Sequence, residues 1–319
     1  MNAPSRRAVS GILLLDKPLG ISSNHALQAA RRLYNAARAG HAGTLDPLAS
    51  GLLPILFGDA TRYSDYLLGA DKTYHAHLQL GVTTTTGDAE GEVVSQHAVH
   101  CTEEEIDAVL APMIGEQQQI PPMHSAIKVS GRPLYQLARQ GEVIERAPRR
   151  IHLYVVRRLG PIVDGRVWIE IGCSKGTYVR TVAEEIGRAL GCGAHLAGLR
   201  RTHTGKLRIE DALDLAALGA LDVAARDARL ISADRVLEAF PALMLSKAVG
   251  RRVLQGQTPS APPGVSDGVV RAYAEGLFLG LVRVARGGLW PERLMPDTVF
   301  APQAADNATE TLPATGKTG

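Results

Sequence analysis

The sequence predicts an α+β protein with a mixed or antiparallel sheet, followed by a small β-rich domain. Three observations carry this. Segments with period-two alternation, such as 72–80 and 166–173, read as strands with one buried face. Helical segments fall between strands without the regular repeat that a parallel βαβ sheet demands. A Pro/Gly/Ser-rich stretch, 255–268, cuts the chain before a last run of short strands.

Taken in order, 11–16 is a short buried strand, stopped by Lys17-Pro18-Leu19-Gly20. Ser22 or Ser23 caps a helix over 24–34, with Leu27, Ala30, Leu33 and Tyr34 on one face. Glycines at 40, 43 and 51 bound a loop over 38–51. In the strand 72–80, Tyr74, Ala76, Leu78 and Leu80 share one face and Thr73, His75, His77 and Gln79 the other. A Thr/Gly/Asp-rich loop covers 81–91. Thr102 and Glu105 form a capping box for a helix over 103–113. A strand is expected from Met123, then a polar insertion over 132–149. Two alternating strands follow, 151–159 and 166–173, joined by a turn at 160–165. A helix over 178–190 ends at Gly191, a strand covers 199–207, and the Ala/Leu-rich stretch 210–240 reads as helical. Strands at 269–273 and 278–284 resemble a small barrel, and the Ala/Thr/Pro-rich residues after Phe300 are expected to be a disordered tail.

The chain has 319 residues, 45% hydrophobic and 21% charged, which excludes a disordered scaffold and suits two domains. No run of about 20 apolar residues is present, so no transmembrane helix is expected. Arg6 and Arg7 precede no signal-peptide core, and a cytoplasmic location follows. Three dispersed cysteines suit neither a disulfide framework nor a zinc site. Net charge is only +3, but its distribution is uneven. Residues 128–210 hold 16 Lys and Arg against 7 Asp and Glu, a net of +9, and the remainder holds 19 against 25. A basic middle is the footprint of a polyanion-binding face.

Three places offer chemistry. His75 and His77 share a strand face, yet lack a third ligand at zinc-like spacing, so no metal is expected. Neither a Walker loop nor a dinucleotide-binding glycine motif occurs, which disfavours a nucleotide cofactor. Ser174-Lys175-Gly176-Thr177 opens a helix after a strand. It is either an anion site or an ordinary turn with Thr177 as the N-cap. The loop Arg38–Gly51 places Asp46, held extended by Pro47, among three glycines. It is either a carboxylate fixed against a substrate or a surface Asp-Pro turn. A carboxylate in a pocket needs a cation to stay ionised, and Arg180, near a helix start, is a candidate; a surface salt bridge is the other reading.

Six segments stand in order between Gly11 and Phe300: Leu15–Ser23, Arg38–Gly51, Asp71–Tyr74, Gln119–Lys128, Cys173–Arg180, and Gly191–Leu196 with Leu199-Arg200-Arg201. Together they resemble the TruB family of tRNA pseudouridine synthases. The resemblance implies a pseudouridine synthase fold with a bisected mixed sheet over 9–240. It also implies a mobile RNA-binding insertion at 132–150, a PUA-like barrel at 241–301 and a disordered tail at 302–319. It implies conversion of one T-loop uridine of tRNA to pseudouridine, without cofactor or metal, by a monomer.

By the same resemblance, Asp46 is the catalytic aspartate, attacking or deprotonating ribose or base. Tyr74 stacks on a flipped pyrimidine and Arg180 partners Asp46. Tyr178 and Leu199 wall the base pocket, and His41 fills the space the target base leaves. Lys17 and Pro18 buttress the site. Arg132, Arg139, Arg146, Arg149 and Arg150 of the insertion, with Lys175, contact RNA. His124 stands where an aromatic is common and Ala42 where Thr is common. A non-catalytic tRNA-folding protein of this fold is the alternative, and a guide-RNA-dependent relative is a third reading. The absence of a basic extension or added domain before Gly11 favours a stand-alone enzyme.

Overall fold

The computed structural model describes residues 6–296, other than 126, 130 and 143, together with Phe300. The expected tail, and residue 301 of the expected barrel, lie outside the described residues. The chain divides into two compact units, Met1–Val236 and Leu237–Gly319.

The first unit opens with β1 (Gly11–Lys17) and α1 (Ser23–Leu33). The Ser22 Oγ caps α1 by accepting from the His25 N–H at 3.1 Å. β2 (Ala39–His41) and β3 (Ala49–Phe57) make a hairpin whose connection, 42–48, carries Asp46. Then come α2 (Ser64–Gly69), β4 (Lys72–Leu80), β5 (Val82–Thr84) and β6 (Val93–Gln96). The expected capping box is present on α3 (Glu103–Leu110). β7 (Gly115–Gln119) precedes the insertion, which holds β8 (Lys128–Val129), β9 (Arg132–Pro133) and α4 (Leu134–Arg139). The Arg139 side chain lies outside what is described. β10 (Arg149–Arg158), β11 (Arg166–Cys173), α5 (Val179–Ala189), β12 (Ala194–Thr204) and β13 (Leu207–Arg208) follow, and α6 (Leu215–Ala220) and α7 (Val223–Asp227) close the unit.

Four expectations need correction. The loop expected over 38–51 conceals β2 and the start of β3. β3 is buried along almost its whole length, so it has no alternation, and Pro54 at its centre argues against a strand. The strand expected from Met123 is reduced, among the described residues, to the two residues of β8. A longer strand lies earlier, at β7, whose Gly-Glu-Gln-Gln-Gln sequence shows no apolar periodicity because among the described strands it is an edge that pairs with β10. The stretch 210–240 is not one helix, because Asp214 and Asp222 each cap a new short one, accepting from the Ala217 and Ala225 N–H groups. Thr177 is not the N-cap of α5; Tyr178 is, and the Thr177 hydroxyl donates to the Ser174 carbonyl instead.

The main sheet runs β1-β3-β12-β4-β11-β10-β7. Its neighbours are antiparallel except β12 with β3, which run parallel through Leu199↔Ala49, Arg200↔Ser50 and Arg201↔Gly51. One half, β4-β11-β10, builds a core with α3 and α5 around Ile169, Ile171, Val182 and Ile186. The other, β1-β3, builds a core with α1 around Leu15, Ala30, Leu53 and Phe57. Tyr74 and Leu199 pack against both cores, so they mark the seam of the bisected sheet.

The second unit comprises β14 (Ala242–Leu245), α8 (Lys247–Leu254), β15 (Gly268–Ala274), β16 (Leu277–Ala285) and β17 (Gly288–Leu294). Among the described residues these strands form one sheet in linear order, β14 parallel to β15 and the rest antiparallel. Val253 of α8 joins Ala272, Leu279, Val282 and Leu289 in its core. No described helix is long and apolar enough to cross a membrane.

Candidate active site

The connection between β2 and β3 is fastened at several backbone points, and Asp46 sits between them. The Ser23 Oγ accepts from the Leu45 N–H at 2.7 Å and donates to the Leu45 carbonyl at 2.8 Å. The Gly20 N–H donates to the Pro47 carbonyl at 2.9 Å, and the Ala49 N–H to the Asp46 carbonyl at 3.0 Å. Buried Arg201 donates to the Gly43 carbonyl at 2.9 Å. The Asp46 side chain, 61% exposed, therefore projects from a fixed backbone into accessible space.

Arg180, in the first turn of α5, brings Asp46 together with two further loops. Its Nη2 lies 3.6 Å from the Asp46 carboxylate and donates to the His124 carbonyl at 2.7 Å. Its Nη1 bonds the Asp88 carboxylate at 3.0 Å. Asp88 is 4% exposed and held by the Thr86 hydroxyl at 2.5 Å and the Glu90 N–H at 3.1 Å. An arginine set between two carboxylates has a fixed direction, because its planar fork satisfies both only in one orientation.

Tyr74 lies in the seam, on β4 opposite Arg201 of β12 and Ile171 of β11. Burial pushes its phenol up and Arg201 opposes the rise, so the ring is neutral around pH 7. Leu199 is half-buried two residues before Arg201. Tyr178 is fixed by buried Gln119: its N–H donates to Gln119 Oε1 at 2.7 Å, and Gln119 Nε2 donates to its carbonyl at 3.1 Å. His41 ends β2 with Nδ1 buried and lacking a hydrogen-bond partner. Burial and then Arg201 hold its imidazole below the usual histidine range. Lys17 is fully buried and donates to the Pro18 and Ile21 carbonyls at 2.9 and 2.7 Å. Burial lowers its ammonium, Asp46 raises it and Arg201 lowers it.

The basic residues separate into two groups. Arg132, Arg149, Arg150 and Lys175 are exposed. Arg132 lies 3.9 Å from Glu142 and Arg150 3.5 Å from Glu116. Arg146 instead turns inward, its Nε buried without a partner, beside a cavity of about 460 Å³ shared with His124, Glu142 and Glu184. Much of the basic middle is committed internally: Arg200 to Asp16, Arg157 to Glu170, Arg158 to Glu103 and Asp107. Among the described residues no three His, Cys, Asp or Glu side chains are placed to hold a metal.

Sequence reasoning singled out Asp46, Tyr74 and Arg180 but missed Asp88, and read Ser23, Gln119 and Arg201 only as parts of motifs, Ser23 also as a candidate helix cap. No spacing signal marks them, since each acts on a residue distant in sequence.

Comparison with known proteins places the chain in a family. Residues 31–179 match the TruB family pseudouridylate synthase N-terminal domain, 180–239 the tRNA pseudouridylate synthase B C-terminal domain, and 241–295 the C-terminal domain of pseudouridine synthase II TruB. The chain is 50% identical over 290 residues to tRNA pseudouridine synthase B of Dechloromonas aromatica (strain RCB), covering 91% of this chain and 96% of that protein.

The chain belongs to the TruB family of pseudouridylate synthases.

A second relative of this TruB-family chain, tRNA pseudouridine synthase B of Burkholderia mallei (strain NCTC 10247), is 50% identical over 298 residues, 91% of this chain and 98% of that protein. Among solved structures, a chain of "Crystal Structure of a Cbf5-Nop10-Gar1 Complex" matches with a TM-score of 0.70 at 25% identity, over 90% of this chain and 85% of that one. A chain of "Structure of H/ACA RNP bound to a substrate RNA containing 2'-deoxyuridine" shares the fold, with a TM-score of 0.68 over 93% of both. The TruB-family chain is thus an isomerase of the pseudouridine synthase class.

Proposed function

We propose that the chain isomerises one uridine in the T loop of tRNA to pseudouridine, acting alone in the cytoplasm without cofactor or metal. The observation that carries this is the Asp46–Arg180–Asp88 arrangement at the seam of the sheet, with Asp46 exposed on a fastened loop.

The target base leaves its stack and enters beside Tyr74. A neutral phenol presents a π-face to uracil without bringing negative charge against its carbonyls. Tyr178 and Leu199 close the pocket sides, and the uncharged His41 imidazole fills the gap left in the loop. Arg180 sets a positive charge beside the Asp46 carboxylate, and Asp88 keeps that guanidinium aimed. Asp46 acts by attack or by proton removal at the ribose or the base. The N1–C1′ bond breaks, the uracil turns while held on Tyr74, and the C5–C1′ bond forms. C5 loses a proton and N1 gains one, so nothing else is consumed. Lys17 and Pro18 support the loop from below. Arg132, Arg149 and Arg150 of the insertion, with Lys175, contact the T-arm backbone, giving affinity rather than sequence choice, while the inward-turned Arg146 shapes the insertion from the cavity side. Specificity comes from the shape of the folded loop.

The test is single-turnover pseudouridine formation by the purified chain on an unmodified tRNA transcript, with mapping of the modified nucleotide. Asp46→Asn is expected to abolish it while leaving tRNA binding within about threefold. Turnover by that variant well above background would refute the role of Asp46. Binding and refolding of tRNA by the wild type without any pseudouridine would favour the tRNA-folding reading.

A further inference from the structure

Arg201 heads the fully buried side chains by size and is 1% exposed. Its backbone pairs with Tyr74 of β4 on one side and Gly51 of β3 on the other. The approach to β3 is so close that a Cβ at Gly51 would meet the Arg201 carbonyl at 2.3 Å. The side chain then reaches across β3: Nε donates to the Leu52 carbonyl at 2.7 Å and Nη2 to the Gly43 carbonyl at 2.9 Å. A Cβ at Gly43, whose φ is +82°, would lie 3.1 Å from Nη1.

Among the described residues no carboxylate pairs with this guanidinium. A permanent charge kept from water needs compensation, and two carbonyls provide only part of it. Lys17 and Tyr74 each feel both Asp46 and Arg201, so Asp46 is one of the negative charges acting on this pocket.

We propose that Arg201 is a positioning residue of the isomerisation, its fork locking Gly43, and so the loop that presents Asp46, to the strand that presents Leu199 and pairs with Tyr74. The inference rests on the function proposed above. Two carbonyls on separate segments demand a planar fork, and a lysine ammonium, a point donor on a flexible stem, does not hold both in one geometry. Loosening the loop displaces the Asp46 carboxylate relative to a base seated on Tyr74. It leaves the exposed arginines that face RNA untouched.

The experiment compares full-length wild type, Arg201→Lys and Gly43→Ala. Single-turnover rates on an unmodified tRNA transcript at saturating enzyme, tRNA dissociation constants and thermal unfolding are measured on the same preparations. Both variants are expected to bind tRNA within about threefold of wild type and to lose rate by on the order of 10- to 100-fold. A folded Arg201→Lys with a rate within about twofold of wild type would overturn the proposal. So would a rate loss that is only the echo of weakened binding. If Arg201→Lys does not fold, Gly43→Ala decides, and its full activity would overturn the proposal. An inactive wild type would overturn the assigned reaction and this inference with it, whereas an active wild type with an unimpaired Arg201→Lys overturns this inference alone.

Discussion

Arg180 lies closer to Asp88, at 3.0 Å, than to Asp46, at 3.6 Å, so the buried carboxylate rather than the exposed one decides where the guanidinium sits. Lys72 shows the same economy of buried cations. It is 8% exposed and its ammonium donates to the carbonyls of Leu67, Leu68 and Ala70 at 3.1, 2.8 and 2.6 Å, closing the end of α2. Burial first, and then Arg201, bring it down to about 8 from 10.5. Between those two values the unfolded chain holds a proton that the folded chain has released, so this group makes stability rise with pH across that window. The wild-type advantage over Lys72→Met, read from urea midpoints, is expected to grow by roughly 1–3 kcal/mol over the window. A difference that stays flat with pH would refute the shift. Asp46 and Arg180 were legible because they fall in recognisable segments. Asp88 was not, since a polar loop gives no sign of which carboxylate will be buried, and Gln119 works through backbone groups of a residue fifty-nine positions away.

Helix α5 owes the position of Arg180 to its packing on β12. A Cβ at Gly187, in the middle of that helix, would meet the Ala194 nitrogen at 2.1 Å, so helix and strand touch backbone to backbone. Glycine to alanine inside a helix ordinarily stabilises by about 1 kcal/mol. Here the sign reverses. Gly187→Ala is expected to lower the unfolding temperature, because α5 must move off the sheet, and a higher melting temperature would contradict this contact. The elements that alternation revealed, β4 and β11, are those with one buried and one open face. β3 escaped because it is buried on both, β7 because it is a polar edge, and the restart of helices at Asp222 looked like continuity in an Ala/Leu-rich stretch.

Over the whole molecule, the +9 of the middle segment overstates what RNA can meet. Arg200 and Arg201 are taken up within the fold, and Arg157 and Arg158 are tied to carboxylates. The exposed Arg149 and Arg150 remain on β10. Replacing both by alanine is expected to reduce the slope of log affinity against log salt by about 1.5, whereas Arg146→Ala, at the cavity, weakens binding with the slope nearly kept. Equal slopes for wild type and Arg149→Ala/Arg150→Ala would place the phosphate contacts elsewhere.

The parallel pairing of β12 with β3 also dictates an order of events during synthesis. Leu52 and Arg201 are separated by 149 positions, so the hairpin bearing Asp46 leaves the ribosome long before the strand that completes its seam. Until β12 inserts between β3 and β4, two open sheet edges wait side by side. Contacts this distant in sequence form slowly, after local ones. A chain stopped before residue 194 has every segment that carries Asp46, Tyr74 and Arg180, and lacks the strand that pairs with both halves of the sheet.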